Sequence, residues 1–222
     1  MPTTFADAIV RHGYKLIRCH RPDASSHEAL SEFGHIDVVE GLNCVQCLHP
    51  HTQVGAAPNT YSGNFGLDVF PLHTDLAHWA IPPRYLALRC IREAPSVGTR
   101  LLDGRVLIRQ FGANALRSLL VQSRRPMRHG KQLIQLLERI GSSDQFRLRW
   151  DSVYLKPASG FSTERFAEVN DFLKHAEPFE VFLLEHGDTL IIDNWRFLHG
   201  RSNVSGSATD RHIDRAYLGS IA

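Results

Sequence analysis

The chain has 222 residues, with 25 Lys and Arg against 23 Asp and Glu and a net charge of +2, a balance that points to neither nucleic acid nor a membrane surface. No segment approaches the roughly 20 apolar residues of a bilayer span. The N-terminal MPTTFADAIVRHGYKLIRCH lacks a continuous apolar core, so one cytoplasmic domain covering residues 1–222 is expected.

Near the start, Phe5 to His12 reads as a short helix stopped by Gly13, with Tyr14 to Ile17 as a strand after it. A second helix is expected at His27 to Phe33. The Pro-, Gly-, Asn- and Ser-rich stretch from His49 to Gly66 reads as an irregular loop. Four cysteines, Cys19, Cys44, Cys47 and Cys90, are present. Cys44 and Cys47 have the spacing of zinc ligands, but no second such pair exists, so reduced thiols are expected.

The loop leads into FPLHTDLAHW, where His73 and Asp75 stand two residues apart in an apolar run. In a strand, residues i and i+2 share a face, and an imidazole beside a carboxylate makes half of a metal site. Beyond Pro82-Pro83, RYLALRC alternates like a strand, and Arg100 to Asp103 reads as another after the turn at Ala94 to Gly98. Residues Leu107 to Gln122 carry helix-spaced apolar side chains, and Pro126 and Gly130 break that pattern. The stretch from about 104 to 175 therefore reads as a helical insertion or lid. Leu148 to Leu155 looks β-rich, and Ser162 to His175 looks like an amphipathic helix capped by a serine or threonine. Val181 to Leu184 and Thr189 to Ile192 read as strands joined in a hairpin by Glu185-His186-Gly187-Asp188. The class expected is mainly β with helical insertions, built on a double-stranded β-helix of the jelly-roll, cupin-like kind.

In a jelly roll, distant strands contribute to one mouth, so His199 can approach His73 and Asp75. Two imidazoles and one carboxylate with open positions form the facial triad of non-haem Fe(II) oxygenases, with zinc as the chemical competitor. If an organic acid chelates the iron, its far carboxylate needs a partner. Arg211 and Arg215, sharing a strand face, and the hydroxyl of Thr99 are the candidates.

Taken together, His73-Thr74-Asp75, PPRYLALRC, GTRLLDG, GDTLIIDNWRFLHGR and RHIDRAYL resemble the taurine dioxygenase family of Fe(II)/2-oxoglutarate-dependent oxygenases, including its γ-butyrobetaine hydroxylase-like branch. The resemblance implies iron on His73, Asp75 and His199, 2-oxoglutarate on Thr99 and Arg211, and dioxygen as the other co-substrate. The chemistry implied is C–H hydroxylation with release of succinate and CO2, on a small, anionic or amino-acid-like metabolite. Asp75 argues against halogenation, since related halogenases lack that carboxylate. Arg215 is expected to meet either substrate or co-substrate. Substrate contacts are further expected from His78, Trp79, Asn59, Tyr61 and Asn64. Two departures stand out: the glycine run before Thr99 is reduced to Gly98, and the stretch from Asp75 to His199 is short, which implies a reduced lid. The basic cluster Arg124, Arg125, Arg128 and Lys131 leaves open a carrier-tethered, peptide or protein substrate. A non-catalytic jelly roll that binds metal or a small acid is the alternative of a different class.

Overall fold

A computed structural model describes residues 4–125, 130, 132–141 and 145–222, apart from the side chain of Ser207. Pro126, Arg128 and Lys131 lie outside the described residues. In chain order the elements are α1 (Phe5–His12), β1 (Tyr14–Ile17), α2 (Ser26–Ser31), β2 (Gln46–Leu48), α3 (Tyr61–Phe65), β3 (Phe70–His73), β4 (Tyr85–Arg92) and β5 (Thr99–Asp103). There follow α4 (Arg105–Phe111), α5 (Ala113–Ser118), β6 (Leu120–Ser123), β7 (Ile134–Gln135), β8 (Leu137–Arg139), β9 (Phe146–Leu148), β10 (Leu155–Pro157) and α6 (Gly160–Lys174). Strands β11 (Phe179–Val181), β12 (Thr189–Asp193), β13 (Phe197–Arg201) and β14 (His212–Leu218) complete the chain.

Two antiparallel sheets organise these elements. The larger runs β1-β12-β4-β14-β2 and the smaller β11-β5-β13-β3. Alternation along each strand sends one set of side chains into the space between the sheets and the other set outward. Leu86, Leu88, Ile192 and Ile213 of the larger sheet thus meet Leu101, Val181 and Phe197 of the smaller one in a shared core. The outward set of the larger sheet, Ala87, Ile191 and Ala216, packs with Ile9 of α1 and Leu30 of α2. Leu72, Leu102 and Leu198, facing outward from the smaller sheet, join Leu107, Leu116, Trp150 and Phe166 in the core of the 104–175 region. Each fully buried leucine or isoleucine contributes about 1.5–3 kcal/mol, which ties all four layers into one unit.

Where local signals govern, the expected elements appear. Helix α1 opens on a reciprocal capping box between Thr4 and Asp7, and Gly13 closes it at φ 78°. A side chain at Gly13 would also collide with the Phe197 ring, so this glycine is needed both for its φ and for the packing of β13. Helix α6 begins after Ser159, whose hydroxyl accepts the Ser162 N–H.

Four expectations are corrected. The helix expected over Leu107 to Gln122 is two short helices broken at Gly112, where φ is 79°, and Leu120 to Gln122 belong to β6. Helix-like spacing cannot register that break, because only the backbone torsion carries it. The β-rich stretch expected over Leu148 to Leu155 holds only the end of β9 and the start of β10, with a turn between them. The hairpin expected at Glu185 to Asp188 does not form: β11 pairs with β5 in one sheet and β12 with β1 and β4 in the other. The fully buried Asp188 accepts N–H groups from Cys19 (3.0 Å), Leu184 (2.8 Å) and Glu185 (3.3 Å), turning the chain from one sheet to the other. Within the expected loop His49 to Gly66, Tyr61–Phe65 forms the short helix α3, capped by Thr60.

Candidate metal centre and co-substrate cavity

Strand β13 pairs antiparallel with β3 so that His199 lies directly opposite His73, their ring centroids 4.5 Å apart. The neighbours Leu72 and Leu198 point into the outer core, so alternation turns both imidazoles inward. Gly200, next to His199, sits where any Cβ would press on the Phe70 carbonyl, so the close approach of the two strands requires glycine there.

Asp75 reaches the same point by a different route from the one its spacing suggests. Strand β3 ends at His73, so Asp75 lies beyond it, just before Leu76 at φ 54°. Two clamps replace the strand ladder. Thr74 donates its N–H to the Trp150 carbonyl at 2.8 Å, and its hydroxyl accepts the Trp150 N–H at 3.1 Å. The fully buried Asn194 accepts the Asp75 N–H at 2.7 Å and donates to the carbonyls of Asp75 (3.1 Å) and Pro83 (2.9 Å).

The carboxylate is then divided between two tasks. Its Oδ2 accepts from Arg215 Nη1 at 3.0 Å and from the Tyr217 hydroxyl at 2.9 Å. Its Oδ1 faces both imidazoles, 3.4 Å from His73 Nε2 and 3.4 Å from His199 Nε2. His73 Nδ1 lies 2.9 Å from the Pro71 carbonyl, which can only accept, so the ring carries its proton there and presents a lone pair at Nε2. Donor atoms bound to one first-row cation at ~2.1 Å stand about 3.0–3.4 Å apart. The 3.4 Å separations of Asp75 Oδ1 from both Nε2 atoms, and the lone pair that His73 presents at Nε2, fit a divalent metal. His199 Nδ1 is buried without a protein partner among the described residues.

The electrostatics agree with that division. Burial alone would raise the Asp75 carboxyl, but Arg215, His199 and His73 hold it well below the usual carboxylate range. Burial, reinforced by the Asp75 charge, lifts the Tyr217 phenol well above its ordinary value, so it remains a donor. His199 is lowered by burial and by His73, whereas in His73 the interactions with Asp75 outweigh burial and leave it raised.

Beside the trio lies a cavity of about 470 Å³. Thr99, Arg211, Arg215, His78 and Tyr61 line it. Burial lowers the Arg211 guanidinium to about 10, and among the described residues its side chain makes no hydrogen bond or ion pair. A desolvated, unpaired guanidinium facing a cavity is costly unless an anion completes it. Arg201, opposite Thr99 in the β13/β5 ladder, is already engaged: it donates to the carbonyls of Gly66 and Asp68, both at 2.8 Å, and covers the Phe70 ring. That leaves Arg211 as the free cation of this corner among the described residues.

Three predicted contacts fall elsewhere. Trp79 packs against the core between the sheets, and its carbonyl accepts from Arg149 at 2.7 Å. Asn59 occupies a turn at φ 59°, and its carbonyl accepts from Arg125 at 2.6 Å. Asn64 lies exposed in α3 and gives its carbonyl to Gln53. Sequence reasoning missed Tyr217, Asp151 and Tyr154, which line the cavity together with Arg125 of the basic cluster. Tyr217 was signalled by alternation, two residues after Arg215. Asp151 carries no such signal: it sits in the turn after β9, where its Oδ1 accepts the N–H groups of Val153 (2.7 Å) and Tyr154 (2.8 Å). Burial raises its carboxyl, and the same carboxyl stands beside Tyr61 and within electrostatic reach of His73.

The fold is shared with solved iron-dependent oxygenases. PvcB from Pseudomonas aeruginosa, an Fe, α-ketoglutarate-dependent oxygenase from an isonitrile synthetic pathway, matches with TM-score 0.67 and 17% identity over 98% of this chain and 80% of its own. OrfP, solved with Fe, succinate and (3S)-hydroxy-L-Arg, matches with TM-score 0.65 and 19% identity over 95% of this chain and 76% of its own. An asparagine oxygenase, solved with Fe(II), 2S,3S-3-hydroxyasparagine and succinate, matches with TM-score 0.60 and 21% identity over 79% of this chain. The aligned region spans 56% of that enzyme's length. No protein-family model matches the chain, and no curated protein matches it by sequence. At these identities the likeness defines the fold.

Proposed function

We propose that the chain is an Fe(II)/2-oxoglutarate-dependent dioxygenase of taurine dioxygenase type, with a double-stranded β-helix core, that hydroxylates a small amino-acid-like metabolite. The observation carrying this reading is the placement of two complementary devices in one cavity: the His73, Asp75 and His199 donors, and Arg211, unpaired among the described residues. A zinc hydrolase has use for the first but no evident use for the second. A non-catalytic jelly roll would need neither a three-sided donor set with open positions nor a half-buried guanidinium left unpaired among the described residues.

In this reading His73, Asp75 and His199 hold Fe(II), which when bound supplies dioxygen activation coupled to oxidative decarboxylation of 2-oxoglutarate to succinate and CO2. Arg211 pairs its guanidinium with the distal carboxylate of 2-oxoglutarate, and the Thr99 hydroxyl donates to the same group. Arg215 and Tyr217 do not travel to substrate; they keep Oδ2 of Asp75 occupied and its Oδ1 aimed. On the remaining wall, the Asp151 carboxylate suits a substrate ammonium and Arg125 a substrate carboxylate, while Tyr61, Tyr154 and His78 enclose the carbon skeleton. The 104–175 region, which delivers Asp151 and Tyr154, acts as the lid. The asparagine oxygenase and OrfP, each solved with a hydroxylated amino acid, support a substrate of this class. A cytoplasmic location agrees with the reducing environment that free Cys19, Cys44, Cys47 and Cys90 favour.

The test is succinate release by the purified chain supplied with Fe(II), 2-oxoglutarate and oxygen, screened against free amino acids. Stimulated release that vanishes in Asp75→Ala is expected. Folded protein that releases no succinate with any candidate, while hydrolysing or merely binding it, overturns the proposal.

A further inference from the structure

Strand β14 has a second face. Arg215 and Tyr217 turn toward the cavity, so His212 and Asp214 turn to the opposite side of the sheet. In the β2/β14 ladder Asp214 lies directly opposite Cys47. His49, two residues beyond Cys47, comes against His212, their ring centroids 4.3 Å apart. Cys47, His212 and Asp214 thus gather at the edge of the larger sheet, with His49 just beyond the end of β2 beside His212. Ligand atoms of Cys47, His212 and Asp214 all lie within 4.8 Å of one another. His212 Nε2 is 2.8 Å from Asp214 Oδ1, and the hydroxyl of Ser26 in α2 donates to Asp214 Oδ2 at 2.6 Å.

We propose that Cys47, His212 and Asp214, with solvent completing the coordination, form a second divalent-metal site, of zinc class, on the back of the strand that carries Arg215 and Tyr217. The donor chemistry separates this site from the cavity. It contains a thiolate, whereas His73, Asp75 and His199 offer only nitrogen and oxygen. One thiolate and one carboxylate also neutralise a divalent cation, and Ser26 orients the carboxylate as an outer partner of a metal ligand does. Cys47 is exposed and His212 half-buried, so a cation has access from solvent.

Cobalt(II) distinguishes the two sites, because only a sulfur ligand gives a thiolate-to-cobalt charge-transfer band in the near ultraviolet. Titration of the full chain with Co(II) is expected to produce that band at saturation with two equivalents bound. Cys47→Ser should remove the band and one equivalent, and Asp75→Ala should keep the band and lose the other. His212→Ala should weaken the band-forming event at least about tenfold. A saturated chain with no thiolate band overturns the proposal. So does a band that persists unchanged in folded Cys47→Ser, since its sulfur would then belong to another cysteine.

Discussion

Arg215 holds the outer oxygen of Asp75 at 3.0 Å, and that single ion pair settles which carboxylate oxygen faces the two histidines. Its partner Tyr217 approaches the same oxygen at 2.9 Å, so the acceptor capacity of Oδ2 is taken up and Oδ1 alone is presented to a metal. Removing the arginine leaves a buried carboxylate with one neutral donor, a loss that favours its protonated form. Arg215→Ala is therefore expected to weaken Fe(II) binding roughly 10- to 100-fold, and Tyr217→Phe by less. Equilibrium titration of the apo-protein under anaerobic conditions measures both. Equal and small losses would show that the ion pair does not prepare Asp75.

Arg211 is expected to act on the co-substrate and leave the metal alone. Arg211→Ala should raise the KM for 2-oxoglutarate about 10- to 100-fold, the range of a charge-assisted hydrogen bond worth about 1.5–3 kcal/mol. Fe(II) affinity without 2-oxoglutarate should remain that of the wild type. Steady-state kinetics in 2-oxoglutarate and a metal titration separate the two effects.

Asp151 supplies the substrate prediction. Its charge lies in the cavity wall, and one of its oxygens is already held by the N–H groups of Val153 and Tyr154. Asp151→Asn keeps that turn and removes the charge. An amino-acid substrate should then bind about tenfold or more weakly, with basal uncoupled succinate release retained. A change confined to the KM for 2-oxoglutarate would assign Asp151 to the co-substrate instead.

Asp188 makes a prediction about stability and pH. Burial would raise its carboxyl, but the Cys19 and Leu184 N–H groups and Arg18 hold it below its ordinary value. A carboxyl that titrates lower in the folded chain than in the unfolded one, at about 4, stabilises fully above that pH. The contribution disappears as pH falls through the folded value. Asp188→Ala should cost about 2–4 kcal/mol at pH 7, and the gap to wild type should close under acid conditions. Urea unfolding at a series of pH values reads this directly.

How far the sequence reaches depends on whether a feature is fixed locally. Helix α1 and strand β1 were legible because Thr4, Asp7 and Gly13 carry their own boundary signals. His73, Asp75 and His199, the donors proposed for the metal, were legible as residue types, but strand alternation does not account for Asp75. It shares a side with His73 because Asn194 and Trp150 clamp the turn, a contact between segments far apart in the chain. The hairpin reading of Glu185 to Asp188 failed for a related reason: the N–H groups that Asp188 gathers include one from Cys19, on a remote segment. Asp151 and Tyr154 escaped because nothing in RWDSVY marks a cavity wall; only the docking of the 104–175 region against Thr74 brings them there.

The central claim is that one cavity holds both a metal and a diacid beside it. Anaerobic addition of Fe(II) and then 2-oxoglutarate tests it most directly, by the visible metal-to-ligand charge-transfer absorption of the chelate. The account predicts one such chromophore per chain, absent from His199→Ala and shifted to higher 2-oxoglutarate concentrations in Arg211→Ala. Folded wild-type protein that takes up Fe(II) and 2-oxoglutarate without developing this absorption would contradict it.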